Sequence, residues 1–409
     1  MKSSLKLSMK YTRKQYHTLK ERIEEPRRFI QVLAGPRQVG KSTLVEQVLK
    51  SLTIPHSIEV ADAVEPNDND WIRRVWESAR TTMTLRGEAE YLLVIDEIQK
   101  IDNWSEVVKR EWDVDARKGR NLKVVLLGSS RLLLKKGLTE SLAGRFELIR
   151  LGHWSYQEMH DAFGVTLDEY IYFGGYPGAV HLISDEKRWR KYIKDSLVTP
   201  AIEKDVLMTS NIYKPALMKQ LFELGCGYSA EILSLTKLMG QLQDAGNVTT
   251  LASYLEILNQ CALLTGLQKF ANDDARKRAS IPKYQVYNNA LMTAYKGRSF
   301  INDRTDPMLW GRWVESAVGT HLLGIAEEED YQVYYWRDTA KNRQDMEVDF
   351  IIVNDGEVIA IEVKSGRRGM NSGLPAFVEA FHPKKSFVVG SGGVSLEDFL
   401  KSDIANLLR

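Results

Sequence analysis

The octapeptide Gly35-Pro36-Arg37-Gln38-Val39-Gly40-Lys41-Ser42 follows an apolar run at 29–34 and precedes the spacing Leu44, Val45, Val48, Leu49. A short apolar run reads as a buried strand, the Gly-Pro segment as a loop, and the 3.6-residue spacing as a helix. The pattern GxxxxGK[ST] in a strand-loop-helix context marks a loop whose backbone N–H groups and following helix N-terminus point at phosphate oxygens. Lys41 adds a charge between the β- and γ-phosphates, and Ser42 adds a hydroxyl for Mg²⁺. The stretch Gly35, Pro36, Arg37, Gln38, Val39, Gly40, Lys41, Ser42 and Thr43 is therefore the candidate nucleotide-binding segment.

Further buried-strand signals at 58–60, 91–95 and 123–127 alternate with charged helical stretches at 71–80 and 104–118. That alternation predicts an α/β domain, a parallel sheet with helices on both faces. The strand Tyr91-Leu92-Leu93-Val94-Ile95 runs into Asp96-Glu97, two carboxylates at the end where such a sheet presents its ligand crevice. Asp96 is placed to bind Mg²⁺ directly or through water, and Glu97 to polarise an attacking water as general base.

Together with the strand at 124–127 that ends in Gly128-Ser129-Ser130, these motifs resemble the AAA+ superfamily of ATPases. The resemblance implies a sensor 1 residue at Ser129 or Ser130, which the spacing does not separate. It also implies an arginine finger at Arg145, within Ser141-Leu142-Ala143-Gly144-Arg145-Phe146, which acts across a subunit interface and so requires a homo-oligomer.

After about residue 155 the pattern becomes helical, with a break at Phe173-Gly174-Gly175-Tyr176-Pro177-Gly178. From 229 to 270 a helix (230–242), a turn, a second helix (251–260) and an apolar stretch (262–267) resemble a winged-helix unit. The last third reads as a helix at 309–323 and strands at 331–337, 347–353 and 358–364, with residues 271–278 as the link. Three domains are expected: an ATPase domain at 1–165, a helical and winged-helix-like domain at 166–275, and an α/β domain at 276–409.

Asp355-Gly356 is a favoured two-residue hairpin turn, and that register sets Asp349 opposite Glu362 and Glu347 opposite Lys364 on one face. Facing carboxylates repel unless a cation bridges them or one is protonated, which points to a metal. Asp349 with Glu362-Val363-Lys364 resembles the D…ExK core of restriction-endonuclease-like, PD-(D/E)xK-type nucleases, with Glu315 in the preceding helix as the additional acidic residue. The resemblance implies that Asp349, Glu362 and Glu315 hold Mg²⁺ or Mn²⁺ and that Lys364 positions or activates the attacking water. The bland alternative is a solvated strand face held by ordinary ion pairs.

The chain as a whole resembles prokaryotic AAA+ ATPases with a C-terminal restriction-endonuclease-like domain, on GPRQVGKST, VIDEIQ, the Gly-Gly-Tyr-Pro break, the strand Tyr335-Trp336-Arg337, EVDF and IEVK. That implies Mg-ATP binding and hydrolysis coupled to DNA or another nucleic acid. The rival reading is an ATP-dependent switch acting on a protein partner through a non-cutting module.

Charge narrows the choice. The chain carries 56 Lys and Arg against 54 Asp and Glu, and residues 271–409 carry 18 against 20, without the positive footprint of a DNA cutter. Residues 1–28, with nine Lys or Arg against three Glu, and Lys187-Arg188-Trp189-Arg190-Lys191-Tyr192 are the candidates for phosphate contact and base stacking, unless the latter is simply a packed helix face. Two distant cysteines, no leader pattern and no membrane-length apolar stretch suggest a cytoplasmic protein without a membrane partner.

Overall fold

The computed structural model describes residues 11–128, 138, 141–206, 212–243, 246–271, 273, 280–338, 346–366 and 373–404. The chain divides between residues 152 and 153 into two compact units.

In the first unit, β1 (Ile30–Ala34), β2 (His56–Val60), β3 (Tyr91–Asp96), β4 (Leu122–Gly128) and β5 (Phe146–Arg150) form one sheet. Its order is β2-β3-β4-β1-β5 and every neighbouring pair is parallel. Alternate residues of the central strands face opposite layers. Leu33, Val94 and Val125 pack on α1 (Gln15–Glu24) and α2 (Lys41–Ser51), while Val32, Leu93 and Val124 pack on α3 (Asn69–Arg86) and α4 (Trp104–Arg117). Burial on both faces is why these strands read as continuous apolar runs. The edge strand β5 gave no such signal because Phe146-Glu147-Leu148-Ile149-Arg150 is only half covered.

A buried ionic network docks α3 on α4. The Trp76 indole donates to Asp115 Oδ2 at 2.7 Å, and Arg80 Nε donates to Asp115 Oδ1 at 2.8 Å. Arg80 also reaches Glu111 Oε2 at 2.7 Å, and Asp115 is fully buried. Arg27 of the basic lead is likewise structural. The Arg27 guanidinium lies 3.4 Å from the Trp112 ring centroid and donates to the carbonyls of Leu122 and Trp112.

In the second unit, α5 (Tyr156–Phe163) and α6 (Leu167–Phe173) each begin with a capping box, at Ser155/Glu158 and Thr166/Glu169. After α7 (Glu186–Tyr192) come two π-helical stretches, Ile193–Val198 and Ala201–Val206, and then α8 (Pro215–Gly227). Trp189 of α7 is buried edge-on against Phe173, and Arg190 donates to the Thr293 carbonyl at 3.0 Å. Of the two readings of this segment, the ring follows the packed helix face: it is consumed by packing.

Next follow β6 (Glu231–Ile232), α9 (Leu235–Met239), α10 (Val248–Gln260), β7 (Leu264–Leu267) and β8 (Lys283–Val286), with sheet order β6-β8-β7. The helix expected from residue 230 is shorter. Ala230 takes a positive φ, Glu231 and Ile232 pair with Tyr284 and Lys283, and Ser234 caps α9. The expected link at 271–278 lies largely outside the described residues.

After α11 (Asn289–Lys296) and α12 (Phe300–Thr305), the long α13 (Pro307–Glu329) leads into β9 (Gln332–Asp338), β10 (Met346–Asn354) and β11 (Glu357–Lys364). Then come α14 (Gly373–Phe381), β12 (Lys385–Gly390) and α15 (Leu396–Lys401). The sheet runs β12-β11-β10-β9, antiparallel except for the β11/β12 pair that α14 connects. One apolar cluster joins Tyr172, Trp189, Leu221, Leu258 and Tyr284 with Trp313, Val314 and Ala317 of α13. Packing is thus continuous across residue 275, where a domain boundary was expected.

Asp115→Ala should cost about 3–5 kcal/mol, because it breaks a buried ion pair and leaves the Trp76 indole and Arg80 Nε without their shared acceptor. Glu77→Ala, which removes an Arg80 partner 66% exposed, should cost under about 1 kcal/mol. Thermal unfolding followed by tryptophan fluorescence should separate the two.

Candidate nucleotide site and C-terminal carboxylate cluster

The loop after β1 is shaped by close approach. A Cβ on Gly35 would lie 2.1 Å from the Leu151 carbonyl oxygen, so only glycine lets the chain turn there. Lys41, the first residue of α2, is buried, and its ammonium donates to the Gly35 and Pro36 carbonyls at 3.0 and 2.8 Å. Ser42 Oγ donates to Asp96 Oδ2 at 2.7 Å, which joins the loop to the carboxylate end of β3. The other Asp96 oxygen accepts from the Glu97 backbone N–H at 2.8 Å. Glu97 takes a left-handed backbone (φ 56°), and its carboxylate accepts from Gln99 Nε2 at 2.7 Å. A hydroxyl next to a carboxylate beside a lysine-bearing loop fits the donor set of a Mg-nucleotide.

Two features were not legible in the motif. Arg13, buried, donates to the Val39 carbonyl at 3.2 Å and the Gly152 carbonyl at 3.0 Å, bracing the loop from outside. Only its place in the basic lead marked it. Gln99 sits two residues past Glu97 and restrains that carboxylate. Arg145 makes a two-pronged pair with Asp113 of its own chain, at 2.8 and 3.1 Å, and holds the Asp113 carboxyl below its usual range. Ser129 and Ser130 lie outside the described residues.

In the second unit the hairpin has the expected register, Phe350 opposite Ile361 through Asn354 opposite Glu357, and Asp355 and Gly356 both take positive φ at the turn. Both faces of the hairpin are covered: Phe350, Ile352 and Ile361 are buried on one, and Ile351 and Ala360 meet Phe377 of α14 on the other. Glu362 is 3% exposed, so this is not a solvated strand face. Lys364 is half-buried at the end of β11.

Among the described residues, the carboxylates that converge are Glu315, Glu347 and Asp349. Glu315 and Asp349 thus come together as expected, with Glu347 in place of Glu362. At their centre lies Lys283 of β8, whose side chain is 1% exposed. Its Nζ is 2.5 Å from Glu315, 3.1 Å from Glu347 and 3.5 Å from Asp349.

Asp349 falls where β10 slips by a residue against β9, between Val348 and Ile351, and a bulge of this kind re-aims a side chain. Its Oδ2 accepts from the Val363 N–H at 2.7 Å and its Oδ1 faces Lys283. Burial alone would lower the Lys283 pKa, but Glu315, Asp349 and Glu347 outweigh it and hold the ammonium charged. Burial pushes the Glu315 carboxyl up against the pull of Lys283, and raises Asp349 as well.

Residues 27–160 match the model of an AAA domain. Residues 164–300 and 310–401 match two models each described as a domain of unknown function, DUF8612 and DUF4143. An uncharacterized protein of Mycobacterium tuberculosis is 29% identical over 355 residues, 84% of this chain and 73% of its own. Another, of Methanocaldococcus jannaschii, is 23% identical over 80% of this chain and 73% of its own. The Walker-type ATPase of Pyrococcus abyssi superposes with a TM-score of 0.47 at 14% identity, over 69% of this chain and 94% of that one. No helix among the described residues is long and apolar enough to cross a membrane. The first unit is a parallel-sheet α/β domain of the P-loop ATPase kind.

Lys41→Ala should weaken ATP binding by about 10- to 100-fold, the worth of a charge-assisted hydrogen bond or two. Titration with a fluorescent ATP analogue measures it, and unchanged affinity would remove Lys41 from the site.

Proposed function

We propose that this chain is a cytoplasmic, Mg-dependent ATPase that binds ATP on Gly35 to Thr43 and hydrolyses it with Glu97 as general base. The observation that carries this reading is the Ser42–Asp96 hydrogen bond at 2.7 Å, which sets the phosphate loop and the carboxylate strand into one site. Lys41 exchanges its two loop carbonyls for phosphate oxygens, a stronger partner for an ammonium. Ser42 and Asp96 would hold Mg²⁺, which would supply charge neutralisation on the phosphates. Glu97 leaves Gln99 to accept the proton of the attacking water. Arg145 serves a neighbouring subunit in a homo-oligomer after its release from Asp113.

For the C-terminal module two uses stand side by side: coupling ATP turnover to nucleic-acid binding or processing, or acting as a non-cutting module in an ATP-driven switch on a protein partner. The order α13-β9-β10-β11-α14-β12 with Asp349 and Glu362-Val363-Lys364 supports a nuclease-like fold, and α8-β6-α9-α10-β7-β8 supports a winged-helix-like unit before it. Fold alone does not carry activity. Lys283 among the carboxylates favours the non-cutting use.

Glu97→Gln should keep ATP affinity and lose about 10²–10⁴-fold in turnover, read by a phosphate-release assay beside the binding titration. Arg145→Ala should also bind without hydrolysing, and mixing it with Glu97→Gln should restore part of the activity; a mixture as inactive as its components argues against a finger in trans. Plasmid and single-stranded DNA incubated with wild type or Glu362→Ala, with Mg²⁺ or Mn²⁺ and with or without ATP, should stay intact. Cleavage by wild type alone would return the C-terminal module to the nuclease reading.

A further inference from the structure

β8 is the central strand of its sheet, paired with β6 on one side and β7 on the other. By period two, Tyr284 and Val286 fill the apolar cluster while Lys283 and Gln285 point the opposite way. Gln285 donates to the Ser316 carbonyl of α13 at 2.9 Å. The helix comes close enough because residue 319 is glycine: a Cβ there would stand 2.2 Å from the Gln285 oxygen. That approach brings Glu315, one turn earlier on the same face, onto the Lys283 ammonium. The strand β10 supplies Glu347 and Asp349 from the other side.

Three carboxylates converging on one partly buried point need a cation, and this chain supplies one covalently, the buried Lys283 ammonium. A divalent ion bound by the same oxygens would sit about 2.0–2.2 Å from each. Those oxygens already lie 2.5, 3.1 and 3.5 Å from Nζ, so ion and ammonium would be in direct contact at low dielectric. The second oxygen of Asp349 is committed to the Val363 N–H. With Lys283 in place, the residues do not fit a metal.

We propose that Lys283 is a built-in replacement for a divalent cation: its ammonium closes the Glu315–Glu347–Asp349 cluster to Mg²⁺ and Mn²⁺, and its removal uncovers a metal site. The ammonium also ties β8 to α13 and β10, so it does the structural work of the ion while supplying no Lewis acid. The inference concerns the second unit alone and rests on the C-terminal reading, not on ATP turnover.

The test is Mn²⁺ titration of the nucleotide-free full chain followed by electron paramagnetic resonance, with thermal unfolding alongside. Asp349→Asn identifies any signal from the cluster and separates it from the Ser42–Asp96 site. Wild type should show no Asp349-dependent Mn²⁺ binding up to millimolar concentration. Lys283→Ala should melt well below wild type, bind one additional Mn²⁺ that Lys283→Ala/Asp349→Asn loses, and recover several degrees of its melting temperature when Mn²⁺ is added.

If Lys283→Ala does not fold even with Mn²⁺, Lys283→Met/Glu315→Gln, with one carboxylate fewer to repel, takes its place and should bind the same ion. Asp349-dependent Mn²⁺ binding by wild type overturns the inference, as does a folded lysine-free variant that binds none. A wild type that binds Mn²⁺ at Asp349 yet leaves DNA intact overturns this inference while leaving the non-cutting reading in place.

Discussion

A lysine ammonium without solvent contact is tolerated only where carboxylates surround it, and Lys283 meets three of them drawn from a helix and a strand. Its position therefore fixes where α13 and β10 can lie relative to β8. The apolar cluster that runs from Tyr172 to Ala317 packs behind that arrangement, with Gly319 setting the depth of the helix. Segments that look like separate modules in the sequence share one interior because an ion group and a hydrophobic core hold the same elements. Removing the cation would leave like charges facing one another at close range.

The first unit uses the same physics at smaller scale. Asp115 is buried between Trp76 and Arg80, and that network orients α4 under the sheet whose strand ends carry Asp96 and Glu97. The candidate phosphate loop is braced twice, by Lys41 from within and by Arg13 from outside. Both contacts are made to backbone carbonyls. The loop shape therefore depends on fixed main-chain acceptors, which suits a site that must present backbone N–H groups in one arrangement. Glu97 is held by Gln99 and Arg145 by Asp113, so two candidate catalytic groups each have an alternative partner within the chain.

Much of the first unit was legible because its signals are local. A buried parallel strand must be apolar throughout, and a phosphate loop must carry glycine and lysine at set spacings, so β1, β3, β4 and the candidate site stand out in the sequence. The hairpin register followed from Asp355-Gly356 alone. What escaped lacks a local signature. The edge strand β5 is half covered and half polar, Arg13 looks like any basic residue of a charged lead, and Trp189 with its neighbouring cations admits a stacking platform as well as a packed helix face.

The sequence by itself determined the candidate phosphate loop, the carboxylate-ended strand β3 and the β10–β11 turn, since each rests on spacing within a few residues. Only the tertiary structure decided which cation the C-terminal carboxylates meet. Lys283 precedes Glu347 by 64 residues and Glu315 by 32, and nothing near Pro282-Lys283-Tyr284 distinguishes it from a surface lysine. Its role comes from the pairing of β8 between two strands, which turns its side chain inward, and from the approach of α13, which closes the space around it. Electrostatic partnership between distant residues is a property of that packing, because burial and separation set its strength and neither is written in spacing.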